Sequence, residues 1–111
     1  TNVGVIMVDK EAVLEKLDDV EDPELDLSIV ELGLVYDVRI EDKEEGKHVE
    51  IDITLTSPGC PAAPEIMAAT HRAALNTEGI DSVHVNLVWT PRWDPKIHAS
   101  EDAKMDMGIW D

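Results

Sequence analysis

Residues 49–61, Val49-Glu50-Ile51-Asp52-Ile53-Thr54-Leu55-Thr56-Ser57-Pro58-Gly59-Cys60-Pro61, decide how this chain folds. Apolar and polar residues alternate strictly through Leu55, the pattern of a strand that buries one side only. Pro58-Gly59 then breaks the alternation and the period changes. Ile66, Met67, Thr70, Ala73 and Ala74 recur at helical spacing. A strand therefore feeds through a tight turn into a helix from Pro61 to about Thr77, which Gly79 is placed to end. Proline suits a first helical position, so Cys60 falls at or beside the helix N-cap.

The same alternation marks two further strands. In the central one Val49, Ile51, Ile53 and Leu55 share a face, with His48, Glu50, Asp52 and Thr54 opposite. Before it, Leu34, Tyr36, Val38 and Ile40 share a face, with Asp37 and Arg39 opposite, and the acidic link Glu41 to Lys47 reads as a hairpin connection. After the helix come Val83, Val85, Leu87 and Trp89, with His84 and Asn86 opposite. Asp9 is a good N-cap for a first helix, with Val8 and Val13 as a hydrophobic staple, and Val13, Leu14, Leu17 and Val20 form its apolar stripe. That helix should stop before Pro23. The loop from Leu25 to Gly33 carries Leu25, Leu27, Ile29, Val30 and Leu32, too apolar for a linker, and is expected to pack on the domain.

The expected fold is therefore α+β: a two-layer α-β-β-α-β domain, a small mixed sheet with both helices on one face. One domain accounts for residues 1–111, with a core over about 9–90 and a tail over 91–111. Pro91 and Pro95 exclude a continuing central strand, and Ser100 caps a short tail helix to about Met107. Trp89, Trp93 and Trp110 concentrate here, as expected of a tail packed down or used for contact.

Composition narrows the function. Hydrophobic residues are 43% of the 111 and aromatics only 4%, with no Phe, so Val, Ile, Leu, Met and Ala must build the core. Twenty-five acidic residues against nine basic give a net charge of −16, which argues against nucleic acid and anionic membranes as partners. Such acidity suits a salt-rich cytoplasm or an ordinary acidic cytosolic protein. No apolar run approaches the roughly 18 residues needed to span a bilayer. Residues 3–8 are apolar but lack the basic flank of a signal peptide. A single cysteine forms no internal disulfide, in keeping with a reducing cytoplasm.

Cys60 is the residue on which chemistry centres. At a helix N-terminus, unpaired backbone N–H groups and the helix dipole favour thiolate over thiol. The bland alternative is a buried, unreactive cysteine, the commonest fate of a free one. One thiolate cannot hold zinc or an iron–sulfur cluster alone, since these need about four ligands. It could ligate a cluster together with a second chain, a partner protein or a small thiol. As a nucleophile it would want a positioned base, and His48, His71, His84 and His98 supply no motif that places one. A carrier is favoured over an enzyme. The alternatives are a thiol redox enzyme, or a plain interaction module using the acidic surface and Trp-rich tail. Asp22-Pro23-Glu24 is ordinary turn chemistry with solvated carboxylates, unless a carboxylate lies near Cys60 and assists a metal site.

Taken in order, these pieces resemble the metal–sulfur cluster biosynthesis domain shared by SufT- and PaaD-type iron–sulfur assembly proteins. The matching motifs are Asp22-Pro23-Glu24, Ser28-Ile29-Val30-Glu31-Leu32-Gly33-Leu34-Val35, and Thr54-Leu55-Thr56 leading into Pro58-Gly59-Cys60-Pro61. Val83-His84-Val85-Asn86-Leu87-Val88 ahead of Pro91-Arg92-Trp93-Asp94-Pro95, and Met107-Gly108-Ile109-Trp110, follow. The region from Val88 to Trp93 and the closing Gly-Ile-Trp look more like the SufT branch. The tail departs at His98-Ala99-Ser100, where family tails read Met-Ser. The resemblance implies an iron–sulfur assembly-type fold and a role in maturing iron–sulfur proteins, by carrying clusters or adapting a delivery machine to its clients. It implies that Cys60 is the functional cysteine and candidate iron–sulfur ligand, with Asp22 and Glu24 as companions and Thr56 as a nearby hydroxyl. A transient iron–sulfur cluster is the implied cofactor, and assembly or client proteins are the implied partners. One ligand per chain makes a homodimer attractive.

Overall fold

The computed structural model describes residues 9–44, 46–56 and 61–108. The apolar residues 3–8, Cys60 and Trp110 lie outside them. Asp9 opens helix α1 (Lys10–Leu17), its side chain accepting the Ala12 amide at 3.0 Å and satisfying a donor the first turn leaves unpaired. α1 ends at Leu17, well ahead of Pro23, because the chain tightens into turns; the Val20 amide donates to the Leu17 carbonyl at 2.9 Å. Val20 is carried into the core all the same.

Two strands too short to show a period come next. β1 (Glu21–Asp22) pairs antiparallel with β2 (Leu27–Ser28). The apolar segment beyond β2 packs inward as expected, with Ile29 and Leu32 fully buried, but Leu25 at the hairpin tip is 38% exposed.

The main sheet is mixed, in the order β3-β4-β5. β3 (Val35–Lys43) runs antiparallel to β4 (Gly46–Ile53), and β4 runs parallel to β5 (Ser82–Leu87). Pairing continues from Val35↔Ile53 to Lys43↔Gly46, so most of the segment expected as a hairpin link is strand. Helix α2 (Ala63–Leu75) lies between β4 and β5. It begins two residues later than Pro61: Ala62 is the N-cap and Pro64 is the proline of the first turn. The N-cap is therefore two positions beyond Cys60 in sequence, and Cys60 itself lies outside the described residues. The tail forms α3 (Pro95–His98), a turn the sequence did not disclose, and α4 (Glu101–Met107), capped by Ser100, whose Oγ accepts the Ala103 amide at 3.1 Å.

Both long helices cover one face of the sheet, α1 against β3 and α2 against β5, and they also touch each other. Val13, Leu17, Ile66 and Ala74 meet Leu34, Val38, Val49, Ile51 and Ile53 in one cluster. Fully burying each Val, Leu or Ile contributes about 1.5–3 kcal/mol, so the central strand, with three fully buried side chains, anchors the domain. Tyr36 does not share this core. The register shifts between Val35 and Asp37, and the extra residue turns towards the tail. Its hydroxyl donates to the Pro91 carbonyl at 2.8 Å, its ring stands 5.2 Å from that of His98, and burial raises its pKa.

On the open face the register sets three cross-strand rows: Asp37, Asp52 and Asn86; Arg39, Glu50 and His84; Glu41, His48 and Ser82. Arg39 forks onto Asp52 at 2.8 and 3.1 Å and reaches Asp37 at 2.7 Å, which holds both carboxyls below their usual range. Glu50 accepts from His48 at 2.5 Å, and from Asn86 and His84 at 3.0 Å each. These bonds, His48 first, lower its pKa from 4.5 to about 2. A carboxylate whose folded pKa is depressed stabilises fully above its unfolded pKa, and that contribution is lost as pH falls through the folded value. Urea midpoints should therefore fall between pH 4.5 and about 2, and Glu50→Gln, which keeps an acceptor but cannot titrate, should flatten that slope. For a side chain still 21% exposed, the part removed should be on the order of 1–2 kcal/mol. An unchanged slope would mean the network does not hold the carboxylate.

Candidate functional site

The site begins with the hairpin between β1 and β2. Pro23 fixes one turn angle, and the Asp22 Oδ1 accepts the Glu24 amide at 2.8 Å in an Asx turn. The Asp22 carbonyl takes the amides of Leu25 at 3.2 Å and Asp26 at 2.7 Å, and Asp26 closes the turn with φ 55°. The turn chemistry expected here is real, but its carboxylates are not both solvated. Asp22 is completely buried, and among the described residues its second oxygen, Oδ2, has no hydrogen-bond partner. A buried carboxylate oxygen without a donor is costly, and such positions are kept where something else uses them.

A second arm comes from the end of β4. The ladder stops at Ile53, and the Thr54 amide donates to the Leu34 carbonyl at 2.9 Å. That pulls Thr54 inside, where the alternation had placed it on the polar face. Its Oγ1 is buried and lacks a partner among the described residues. Two residues on, Thr56 emerges on a cleft of about 510 Å³ that it shares with Glu24, Leu25 and Leu27.

The tail supplies the opposite wall, through Trp93, Pro95, Asp106 and Met107. It is latched to the segment before β3. The Trp93 indole N–H donates to the Leu32 carbonyl at 2.7 Å, and the Ser100 amide donates to the Glu31 carbonyl at 2.7 Å. The Ser100 hydroxyl bonds the Glu31 carboxylate. Gly33 makes room between these latches. Its φ is 76°, and a Cβ there would lie 2.0 Å from the His98 carbonyl oxygen.

Of the four residues singled out from sequence, the structure brings Glu24 and Thr56 onto one cleft, although 32 positions separate them in sequence. Asp22 lies buried in the turn that carries Glu24, and Cys60, four positions after Thr56, lies outside the described residues. The burial of Thr54 was missed. A Trp-rich tail packed down or used for contact was expected, with Trp93, Pro95 and Met107 inside matching motifs, but not that these residues wall a cleft. No histidine lines the cleft: His48 and His84 belong to the Glu50 network, and His98 accepts the Asp94 amide at 2.9 Å. Among the described residues no three His, Cys, Asp or Glu side chains are arranged to hold a metal ion, so any metal held here needs ligands from beyond them.

A two-layer α+β domain with an acid-lined cleft where the β1–β2 hairpin, the residues after β4 and the tail meet defines a class, and comparison with known proteins identifies it. The family model described as iron-sulfur cluster assembly protein matches residues 10–87, and the chain belongs to that family. It is 41% identical over 100 residues to the Fe-S protein maturation auxiliary factor YitW of Bacillus subtilis, covering 90% of this chain and 94% of that one. It is 42% identical over 88 residues to the Fe-S protein maturation auxiliary factor SufT of Staphylococcus aureus, covering 79% and 96%. Among solved structures, a domain of unknown function, DUF59, from Bacillus anthracis matches with a TM-score of 0.81 and 35% identity, covering 91% of this chain and 92% of that one. The family and the SufT-like branch read from the ordered motifs are borne out, and so is the fold class.

Proposed function

We propose that this protein is an iron–sulfur maturation factor that carries a cluster, or adapts a delivery machine to its clients, through the Cys60 thiolate. The observation that supports this reading best is the convergence of Glu24 and Thr56 on one cleft, with Asp22, whose buried Oδ2 has no hydrogen-bond partner among the described residues, in the same turn as Glu24. Oxygen donors suit the harder side of an iron site, and a single thiolate leaves the remaining positions to a partner, which favours transfer over permanent storage. The partner is a cluster-assembly or client protein, or a second copy of the chain, and the setting is the cytoplasm. A nucleophilic thiol enzyme is not favoured, because such a thiol wants a positioned base and the sequence offers no motif that places one.

Anaerobic incubation with ferrous iron and sulfide, followed by a spectrum and a native mass, tests this. A sulfide-to-iron absorption band that disappears on transfer to an apo-client is the expected result for a carrier, and tight complex formation with a client without a band is the result for an adaptor. Neither band nor complex would defeat the proposal.

A further inference from the structure

β4 and β5 carry the same alternating pattern, yet they are covered very differently. Val49, Ile51 and Ile53 are fully buried, whereas their register partners Val83, Val85 and Leu87 are only half-buried. The cause is position: β5 is the outermost strand, and no described residue pairs with its outer edge. The Val88 amide donates inward to the Ile53 carbonyl at 2.8 Å. Successive amides along a strand point to opposite edges, so those of Leu87 and Val85 face outward.

Sheet edges are normally protected against stray pairing by charge, proline or a bulge. The other edge of this sheet has such protection: β3 carries Asp37, Arg39, Glu41, Asp42 and Lys43, together with its bulge. β5, Ser82-Val83-His84-Val85-Asn86-Leu87, has no Asp, Glu, Lys, Arg or proline, in a chain of which 31% is charged. Its neighbourhood also has a sign. In the three open-face rows Asp37, Glu41, Glu50 and Asp52 outnumber the single cation Arg39, and Glu50 and Asp52 lie directly beside His84 and Asn86.

We propose that the outer edge of β5 docks an extended segment of a partner protein that bears Lys or Arg at alternate positions and adds a fourth strand to the sheet. Backbone hydrogen bonds would supply the affinity, as in other strand additions, and the alternating side chains the selectivity. Apolar residues of the segment would complete the cover of Val83, Val85 and Leu87. Its cationic residues would stand on the open face, a strand away from Glu50 and Asp52, where like charge would repel. A second copy of this chain fits poorly, since each copy carries a net −16 and its own β5 offers no cation.

The test uses the full chain and a synthetic peptide of alternating Lys and Val, with a proline-interrupted peptide of equal charge as control. Amide exchange at Val85 and Leu87 should slow with the first peptide and not with the second. Val85→Pro, at an outward amide, should weaken binding roughly tenfold or more. Asn86→Lys should weaken it by charge while keeping every backbone donor, and decides the matter if Val85→Pro does not fold. Equal binding of both peptides would overturn the proposal, as would indifference to Asn86→Lys. Protection of Val85 and Leu87 without peptide would overturn it too, because the chain itself or a second copy would then hold the edge. The measurement does not involve Cys60, so it stands apart from the cluster reading.

Discussion

Cys60→Ser is expected to abolish client maturation in cells while leaving the melting temperature of the domain nearly unchanged. A serine hydroxyl has almost the same volume as a thiol, but it does not ionise near neutral pH and is a poor ligand for iron–sulfur chemistry. Replacing the companions should act differently. Glu24→Gln keeps the shape of the cleft and removes one of its two carboxylates, so a partial loss of about 10–100-fold in cluster retention or transfer is the expected size for a residue that supports a ligand. Asp22→Ala removes the Glu24 amide's acceptor as well, so it should lower stability in addition, and Asp22→Asn restores the turn without restoring the charge. Client activity after depletion of the native protein, measured beside thermal melts, separates these cases. Normal client activity with Cys60→Ser would remove the cysteine from the mechanism.

Gly33→Ala should release the tail. The left-handed backbone alone costs a non-glycine residue about 1–2 kcal/mol, and here the added methyl would also lie 2.0 Å from the His98 carbonyl oxygen. Backbone on both sides leaves little room to yield, so the Trp93 and Ser100 latches should open and the cleft should lose its second wall. Limited trypsin digestion at Lys96 and Lys104 should become rapid, and client maturation should fall with it. Gly108→Ala is the control, because Gly108 has a similar φ of 75° but nothing within 4 Å of the added methyl. If the two variants are digested at the same rate, Gly33 does not hold the tail.

What could be read in the sequence depended on how local the cause was. Strict alternation located β3, β4 and β5, and the capping side chains of Asp9 and Ser100 located the starts of α1 and α4, since each rests on neighbours a few residues apart. Tyr36 was misplaced because a one-residue bulge reverses a face without leaving a mark in the composition. Thr54 was misplaced because its burial follows from a bond to Leu34, far back in the chain. β1 and β2 are too short to have a period. At the cleft, Thr56 came from motif resemblance alone, whereas Asp22 and Glu24 were also readable as a turn whose carboxylate could assist a metal site, and the motifs holding Trp93, Pro95 and Met107 gave no sign that these residues form a wall. The bonds that fix it join Trp93 to Leu32 and Ser100 to Glu31, 61 and 69 positions apart.

That long reach bears on the order in which the chain is made. The stretch matched by the family model closes at Leu87, by which point every strand of the main sheet and both long helices have been synthesised. Trp93, Pro95, Asp106 and Met107 emerge afterwards. The core elements thus precede the tail in the chain and do not need it to pair, so until the tail docks Glu24 and Thr56 stand on an open shelf. The cleft closes only when α4 has folded back over the core.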